Sequence, residues 1–232
     1  MILLLHGGPG APGSMAPVAR ELQYEFRVLE PHQRSSGVER LTVAIHVADL
    51  HEVVDEPPML VGHSWGAMLA LCYAAEHPVE RLVLIGCGTF GETARAELIR
   101  RRQPTEERAV DDASMARIGR SYEIADAFDP IGPGELLPCD YRGHIETWDD
   151  MMRLQADGTY PAAFGRITAP VTMLHGDHDP HPGRLIRDGL RPHIPHLEYV
   201  ELERCGHTPW IERHAREEFF ARLKACLTEA PR

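Results

Sequence analysis

The chain has 232 residues, enough for one full domain or one domain with a large insertion, and enough to bury a sizeable core. Hydrophobic residues make up 43% and charged residues 25%, an ordinary balance that excludes disorder as the main state. Acidic residues outnumber basic ones 35 to 24, and a net charge of −11 argues against a nucleic-acid partner.

Short apolar runs alternate with helical stretches along the chain. Residues 2–5 read as a buried strand and residues 26–30 as a second. Residues 41–55 carry Leu41, Ile45, Ala48 and Val53, which suits a helix. Residues 59–62 are a strand, 65–76 an Ala- and Leu-rich helix, and 81–86 another strand. Strands return at 171–175 and 197–202, and residues 208–227 are expected to close the chain as one helix. Continuous apolar strands separated by helices predict an α/β fold, a mostly parallel sheet covered on both faces.

The rhythm breaks between Gly88 and Thr168. That stretch is charged, helical in pattern and interrupted by Pro130, Pro133 and Pro138. It reads as a helical cap insertion at 89–168, leaving 1–88 and 169–232 as the core. No internal repeat or low-complexity tract is visible. The opening apolar run is far shorter than the roughly 20 residues of a spanning helix, and it lacks the charged leader of a signal peptide. Five cysteines without a C-x-x-C pair imply free thiols and a cytoplasmic setting, with no membrane partner.

Chemistry concentrates after the strands. Gly62-His63-Ser64-Trp65-Gly66 lies between an apolar strand and a helix, the context of a nucleophile elbow. His6-Gly7-Gly8-Pro9-Gly10 follows the first strand and can aim a main-chain N–H at an oxyanion. Gly8 N–H, paired with Trp65 N–H, is the expected oxyanion hole. A phosphate loop is excluded, because no G-x-x-x-x-G-K-[ST] exists and Lys224 is the only lysine.

A serine hydroxyl needs an imidazole base, and the imidazole needs a carboxylate to hold its tautomer. Gly176-Asp177-His178-Asp179 and Cys205-Gly206-His207 supply both, each after a predicted strand. The order Ser64, Asp179, His207 is that of an α/β-hydrolase triad. Asp177 is the rival acid, with Asp179 preferred for its place in G-x-x-D.

These motifs resemble the α/β-hydrolase superfamily, and within it the proline iminopeptidase-like branch. His6–Gly10 is similar to the HGGPG of that branch, and Gln33-Arg34-Ser35-Ser36-Gly37 to its DQRGxGxS loop. Gly62–Gly66 and Gly206-His207-Thr208-Pro209 resemble its elbow and histidine signatures. The resemblance covers 1–88 and 169–232, about two-thirds of the chain. There are departures: His32 stands where the branch has Asp, Ser35 replaces a Gly, and GHSWG stands where GGSWG is more usual. The branch has two strands before HGGPG, so the resemblance implies a sheet lacking its N-terminal strands, or a misplaced start codon.

The remaining signals are weaker. His175, Asp177, His178, Asp179 and His181 are dense enough for a metal site, but the triad already uses Asp179, and no metal or cofactor is expected. His51-Glu52-Val53-Val54-Asp55 has Asp55 where a zinc motif needs histidine. Glu146, Asp149 and Asp150 share one helix face. By the resemblance they could hold a substrate ammonium; the plainer reading is a solvated face. Trp148, Met151 and Met152 pack the cap on the core or line an acyl pocket. Cys205 reads as a buried structural thiol. The sequence points to a serine hydrolase acting on a small ester or amide. The alternatives are a proline iminopeptidase taking short peptides, or a non-catalytic binding protein on the same scaffold.

Overall fold

Hydrophobic alternation builds the sheet. The computed structural model describes residues 1–102, 107–132 and 137–228. Pro133, one of the interrupting prolines, lies outside them, as do the last four residues assigned to the core. The strands are β1 (Ile2–Leu5), β2 (Val28–Leu29), β3 (Met59–His63), β4 (Arg81–Ile85), β5 (Val171–Gly176) and β6 (Glu198–Leu202). They form one sheet in the order β2-β1-β3-β4-β5-β6, with every pairing parallel.

Successive side chains of a strand point to opposite faces. Leu3, Leu5, Leu60, Leu82, Leu84 and Met173 therefore enter one apolar layer. Ile2, Leu4, Val61, Val83, Ile85 and Leu174 enter the other. The helices α2 (Val43–Glu52), α3 (Trp65–Glu76) and α7 (Gly183–Leu190) cover the first face, and α1 (Ala16–Leu22) and α8 (Arg216–Thr228) the second. α3 is buried from Trp65 to Ala75, which explains why its sequence is apolar on all sides.

Between β4 and β5 the chain runs through α4 (Glu92–Arg101), α5 (Asp112–Ala125), α6 (Tyr141–Ala156) and a 3-10 turn at Ala162–Arg166. α5 opens on a capping box in which Asp111 and Ser114 satisfy each other's main-chain N–H. At the start of α6, Asp140 accepts the N–H of Gly143 at 2.9 Å.

Three expectations need correction. The closing helix begins at Arg216, not at residue 208. A 3-10 turn at Pro209–Ile211 comes first, and the side chain of Glu212 turns inward onto main-chain N–H groups. The second strand shrinks to Val28–Leu29, because only Ile2 and Leu3 pair with it. α1 and α7 were not foreseen, their periods being too short to stand out.

Register sets the site. Leu5 pairs with Gly62, His63 with Ile85, Ile85 with Leu174, and Gly176 with Leu202. The carboxyl ends of five strands thus lie on one edge, and the loops after them converge.

Candidate active site

The elbow shows why its flanking residues are small. A Cβ on Gly62 would lie 2.2 Å from the Gly66 carbonyl oxygen, and one on Gly66 would lie 2.0 Å from that of Leu5. No larger residue fits while α3 sits this close to β1 and β3. Ser64, between them, has φ 56° and ψ −115°. A non-glycine residue there is strained unless its surroundings hold it. They do: its N–H donates to Ile85 O at 2.9 Å, and its carbonyl accepts from Ala67 and Met68 at 3.1 and 3.3 Å. The first turn of α3 is thereby closed beneath the hydroxyl, with the positive helix end behind it.

His207 follows β6, and Asp179 follows β5. His207 Nδ1 lies 2.8 Å from Asp179 Oδ2. The carboxylate has no proton to give, so Nδ1 carries the hydrogen and Nε2 keeps its lone pair. Asp179 is 2% exposed. Burial pushes its carboxyl up, but the charges of His207, His175 and His181 and the His181 hydrogen bond outweigh this and hold it well below the usual carboxylate range. Asp177 has other work: its Oδ1 accepts the Cys205 N–H at 3.1 Å and braces the histidine loop.

Ser64 and His207 meet through shared neighbours. His63 Nε2 donates to the His207 carbonyl at 2.9 Å, and the two rings lie 4.8 Å apart. A Cβ on Gly86, the residue after the acceptor of the Ser64 N–H, would lie 3.0 Å from His207 Nδ1. Among the described residues Ser64 Oγ makes no hydrogen bond, to His207 or to another group. Serine–histidine contacts are commonly long without substrate.

The glycine loop after β1 passes over the serine, since a Cβ on Gly7 would sit 3.4 Å from Ser64 Cβ. His6 anchors it. Its Nδ1 donates to Gly7 O at 2.9 Å, and its Nε2 accepts the Gln33 N–H at 3.2 Å. That pattern requires neutral imidazole, and burial lowers its pKa to about 4. Gln33 also donates to His6 O at 3.0 Å and accepts the Trp65 indole N–H at 2.8 Å. One amide therefore ties the loop to the elbow. Among the described residues the main-chain N–H groups of Gly8 and Trp65 donate to no acceptor.

The segment between β4 and β5 reaches the same place. The Asp126 carbonyl accepts the His207 N–H at 3.0 Å, and Arg102 pairs with the Asp126 carboxylate. Burial raises the carboxyl of Glu123, while the charges of Arg120 and His207 pull it down. Glu212, fully buried, accepts the N–H groups of Gly206, Phe128 and Asp129 at 2.7, 2.8 and 2.8 Å. Sequence reading missed Glu212 and His181, because only the folded chain shows a carboxylate or ring turned inward.

The acidic face of α6 is not free to hold an ammonium. Glu146 accepts the Leu41 N–H at 2.9 Å and pairs with Arg142 at 2.7 Å. Asp150 accepts the Val43 N–H at 2.9 Å. Asp149 is exposed and pairs with Arg40. Two of these carboxylates thus serve the start of α2, where main-chain N–H groups lack helical partners. Trp148 is half-buried against the core, its ring parallel to that of His144 at 6.5 Å. His144 in turn contacts Pro9 O at 3.0 Å. Two surface depressions of about 250 and 220 Å³ have neither Ser64, Asp179 nor His207 in their walls.

Comparison with known proteins agrees with this layout. The profile described as "Alpha/beta hydrolase family" matches residues 2–222. A 96-residue stretch is 31% identical to the probable aminopeptidase YbaC of Bacillus subtilis (strain 168), covering 34% of this chain and 30% of that relative. The chain therefore spans under a third of that relative's length. The fold is similar to the 2-hydroxy-6-oxo-6-phenylhexa-2,4-dienoate hydrolase of Rhodococcus sp. strain RHA1, with TM-score 0.70 at 20% identity over 98% of this chain and 90% of that one. It is also similar to the enol-lactonase of Burkholderia xenovorans LB400, with TM-score 0.67 at 20% identity over 98% and 91%.

Proposed function

Because the chain belongs to the alpha/beta hydrolase family, we propose that it is a serine hydrolase that cleaves a small ester or amide through an acyl-enzyme. Membership supports hydrolysis as the reaction type; the residue roles and the substrate class are our reading. Ser64 Oγ attacks the acyl carbonyl while His207 Nε2 takes its proton. Gly8 and Trp65 N–H groups receive the oxyanion. His207 then returns the proton to the leaving alcohol or amine, and water repeats the sequence on the acyl-serine. Asp179 holds the His207 tautomer and steadies its charge. The observation that carries this reading is the 2.8 Å contact of His207 Nδ1 with buried Asp179, on the sheet edge where Ser64 stands. No cofactor enters the scheme. We read residues 89–168 as a cap that closes over the acyl group.

A second reading is an aminopeptidase, favoured by the 96-residue match to a probable aminopeptidase. Glu123, coupled to His207, then becomes the carboxylate available to a substrate ammonium, since Glu146 and Asp150 are engaged elsewhere. Turnover of short acyl esters against proline arylamides, by wild type and Ser64→Ala, tests both. Ester turnover that needs Ser64 supports the first. Arylamide turnover lost in Glu123→Gln supports the second. Absence of both, with no labelling by a fluorophosphonate, overturns catalysis and leaves a binding protein.

A further inference from the structure

Asp179 serves more imidazoles than a triad uses. His207 Nδ1 contacts its Oδ2 at 2.8 Å, and His181 Nδ1 contacts its Oδ1 at 3.0 Å. The His181 and His207 rings are nearly parallel, 19° apart in plane with centroids at 4.4 Å. Each ring gives its Nδ1 proton to one oxygen of the same carboxylate. Each therefore keeps its lone pair on Nε2, on the side of the ring turned away from Asp179. Two lone pairs are thus held beside one another, and both side chains keep some exposure, 9% and 12%.

We infer that His181 and His207 form a binding site for a zinc-class divalent metal ion, with Asp179 as the carboxylate behind both. Imidazole suits zinc, copper and nickel, whereas magnesium and calcium want oxygen ligands. Metal-binding histidines characteristically donate their other N–H to a carboxylate, which fixes the ring and raises its basicity. Here one buried carboxylate does this for two rings. Ligand atoms from Asp179, His181 and His207 all lie within 4.8 Å of one another. Zinc–nitrogen bonds are about 2.0–2.1 Å, so a small rotation of two rings stacked this closely closes them on one ion. His175 holds the pair from behind: its Nε2 lies 2.9 Å from the His181 carbonyl and 3.2 Å from Asp179. Arg102, whose charge reaches His181, is paired with Asp126.

The ion occupies the lone pair that would receive the Ser64 proton. Bound metal is therefore an off state of the hydrolase, reversed by a chelator. That consequence rests on the hydrolase reading; metal binding does not.

Zn2+ is titrated by calorimetry into Ser64→Ala, and into Ser64→Ala carrying His181→Phe, which keeps a stacked ring. One ion per chain is expected in the first, with binding weakened roughly tenfold or more in the second. In parallel, Zn2+ is titrated against wild-type turnover of a short acyl ester and then removed with EDTA. Inhibition that EDTA reverses, and that needs roughly tenfold more Zn2+ in His181→Phe, is the expected result. Zn2+ binding that is absent, or unchanged by His181→Phe, overturns the site. Turnover absent even without Zn2+ overturns the hydrolase reading instead, and calorimetry still decides the metal. If His181→Phe does not fold, Co2+ added to wild type must give the visible absorption of a four-coordinate, histidine-bound ion. Its absence overturns the site equally.

Discussion

Glu212 accepts the N–H of Gly206 at 2.7 Å, so a fully buried carboxylate grips the residue immediately before His207. The same Oε1 takes the Phe128 N–H, and Oε2 takes that of Asp129. His207 N–H returns the link by donating to Asp126 O at 3.0 Å. The histidine loop and the end of α5 are thus one unit built on one side chain. Glu212→Ala strands these N–H groups in the interior, at roughly 1–3 kcal/mol each. Glu212→Gln can keep an oxygen at the Oε1 position and loses the Asp129 contact alone. The expected order in urea unfolding is wild type above Gln above Ala, with Ala lower by several kcal/mol. Equal stability of Gln and Ala would remove the carboxylate from this role.

Ser64→Ala should leave stability almost unchanged, because the Ser64 hydroxyl bonds to no described residue. If Ser64 is the nucleophile, kcat should fall on the order of a millionfold. Ser64→Gly should be equally inactive yet more stable than wild type. A non-glycine φ of 56° with this ψ costs about 1–3 kcal/mol, which glycine relieves at the expense of its own chain entropy. Thermal unfolding and fluorophosphonate labelling check both. A surviving label in Ser64→Ala places the nucleophile elsewhere.

The elbow, the glycine loop and the strand ends were legible because each depends on local chain geometry. Gly62 and Gly66 leave no room for a side chain, and the apolar runs of β1, β3, β4 and β5 have no polar face to disguise them. The α6 carboxylates were not legible. Glu146, Asp149 and Asp150 share a face, but whether that face meets solvent, substrate or main chain depends on where α2 begins in space. Leu41 and Val43 N–H groups decide it for Glu146 and Asp150. Glu212 and His181 were hidden for the same reason. A charged residue in a polar loop carries no mark of facing inward until its partners, distant in sequence, are in place.

Asp179→Asn and Asp177→Asn should separate sharply. Asparagine at 179 must present its NH2 or its oxygen to two imidazole Nδ1 groups at once, and it cannot balance the charge that His207 acquires. The expected loss in kcat/KM is on the order of 10⁴, with the fold retained. Asparagine at 177 can keep an oxygen on the Cys205 N–H, so its kcat/KM should stay within a few-fold of wild type. The measurement is kcat/KM for each variant on the best ester. A crippled Asp177→Asn beside a normal Asp179→Asn would move the acid to the other loop carboxylate.

Acid should unfold this protein early, through histidines buried in the neutral form. Burial lowers His6, His46 and His181 to about 4 and His63 to about 3, against 6.5 for the exposed group. The unfolded chain therefore binds more protons than the folded one between those values. Stability is complete above about pH 6.5 and falls as pH drops toward 4, each such group adding a slope of at most about 1.4 kcal/mol per pH unit. Four groups acting together can exhaust a domain stability of roughly 5–15 kcal/mol within a few pH units. Glu30 and Glu123, raised by burial, tilt the other way and soften the decline. Thermal unfolding between pH 8 and 5 should show a flat region and then a steep fall in Tm below about pH 6.5. His63→Gln provides the control, since its amide can still donate to the His207 carbonyl while removing one titrating group. Its Tm should fall less steeply with acid than that of wild type. A flat wild-type profile down to pH 5, or a His63→Gln profile of unchanged slope, would show that these rings are not held neutral by the fold.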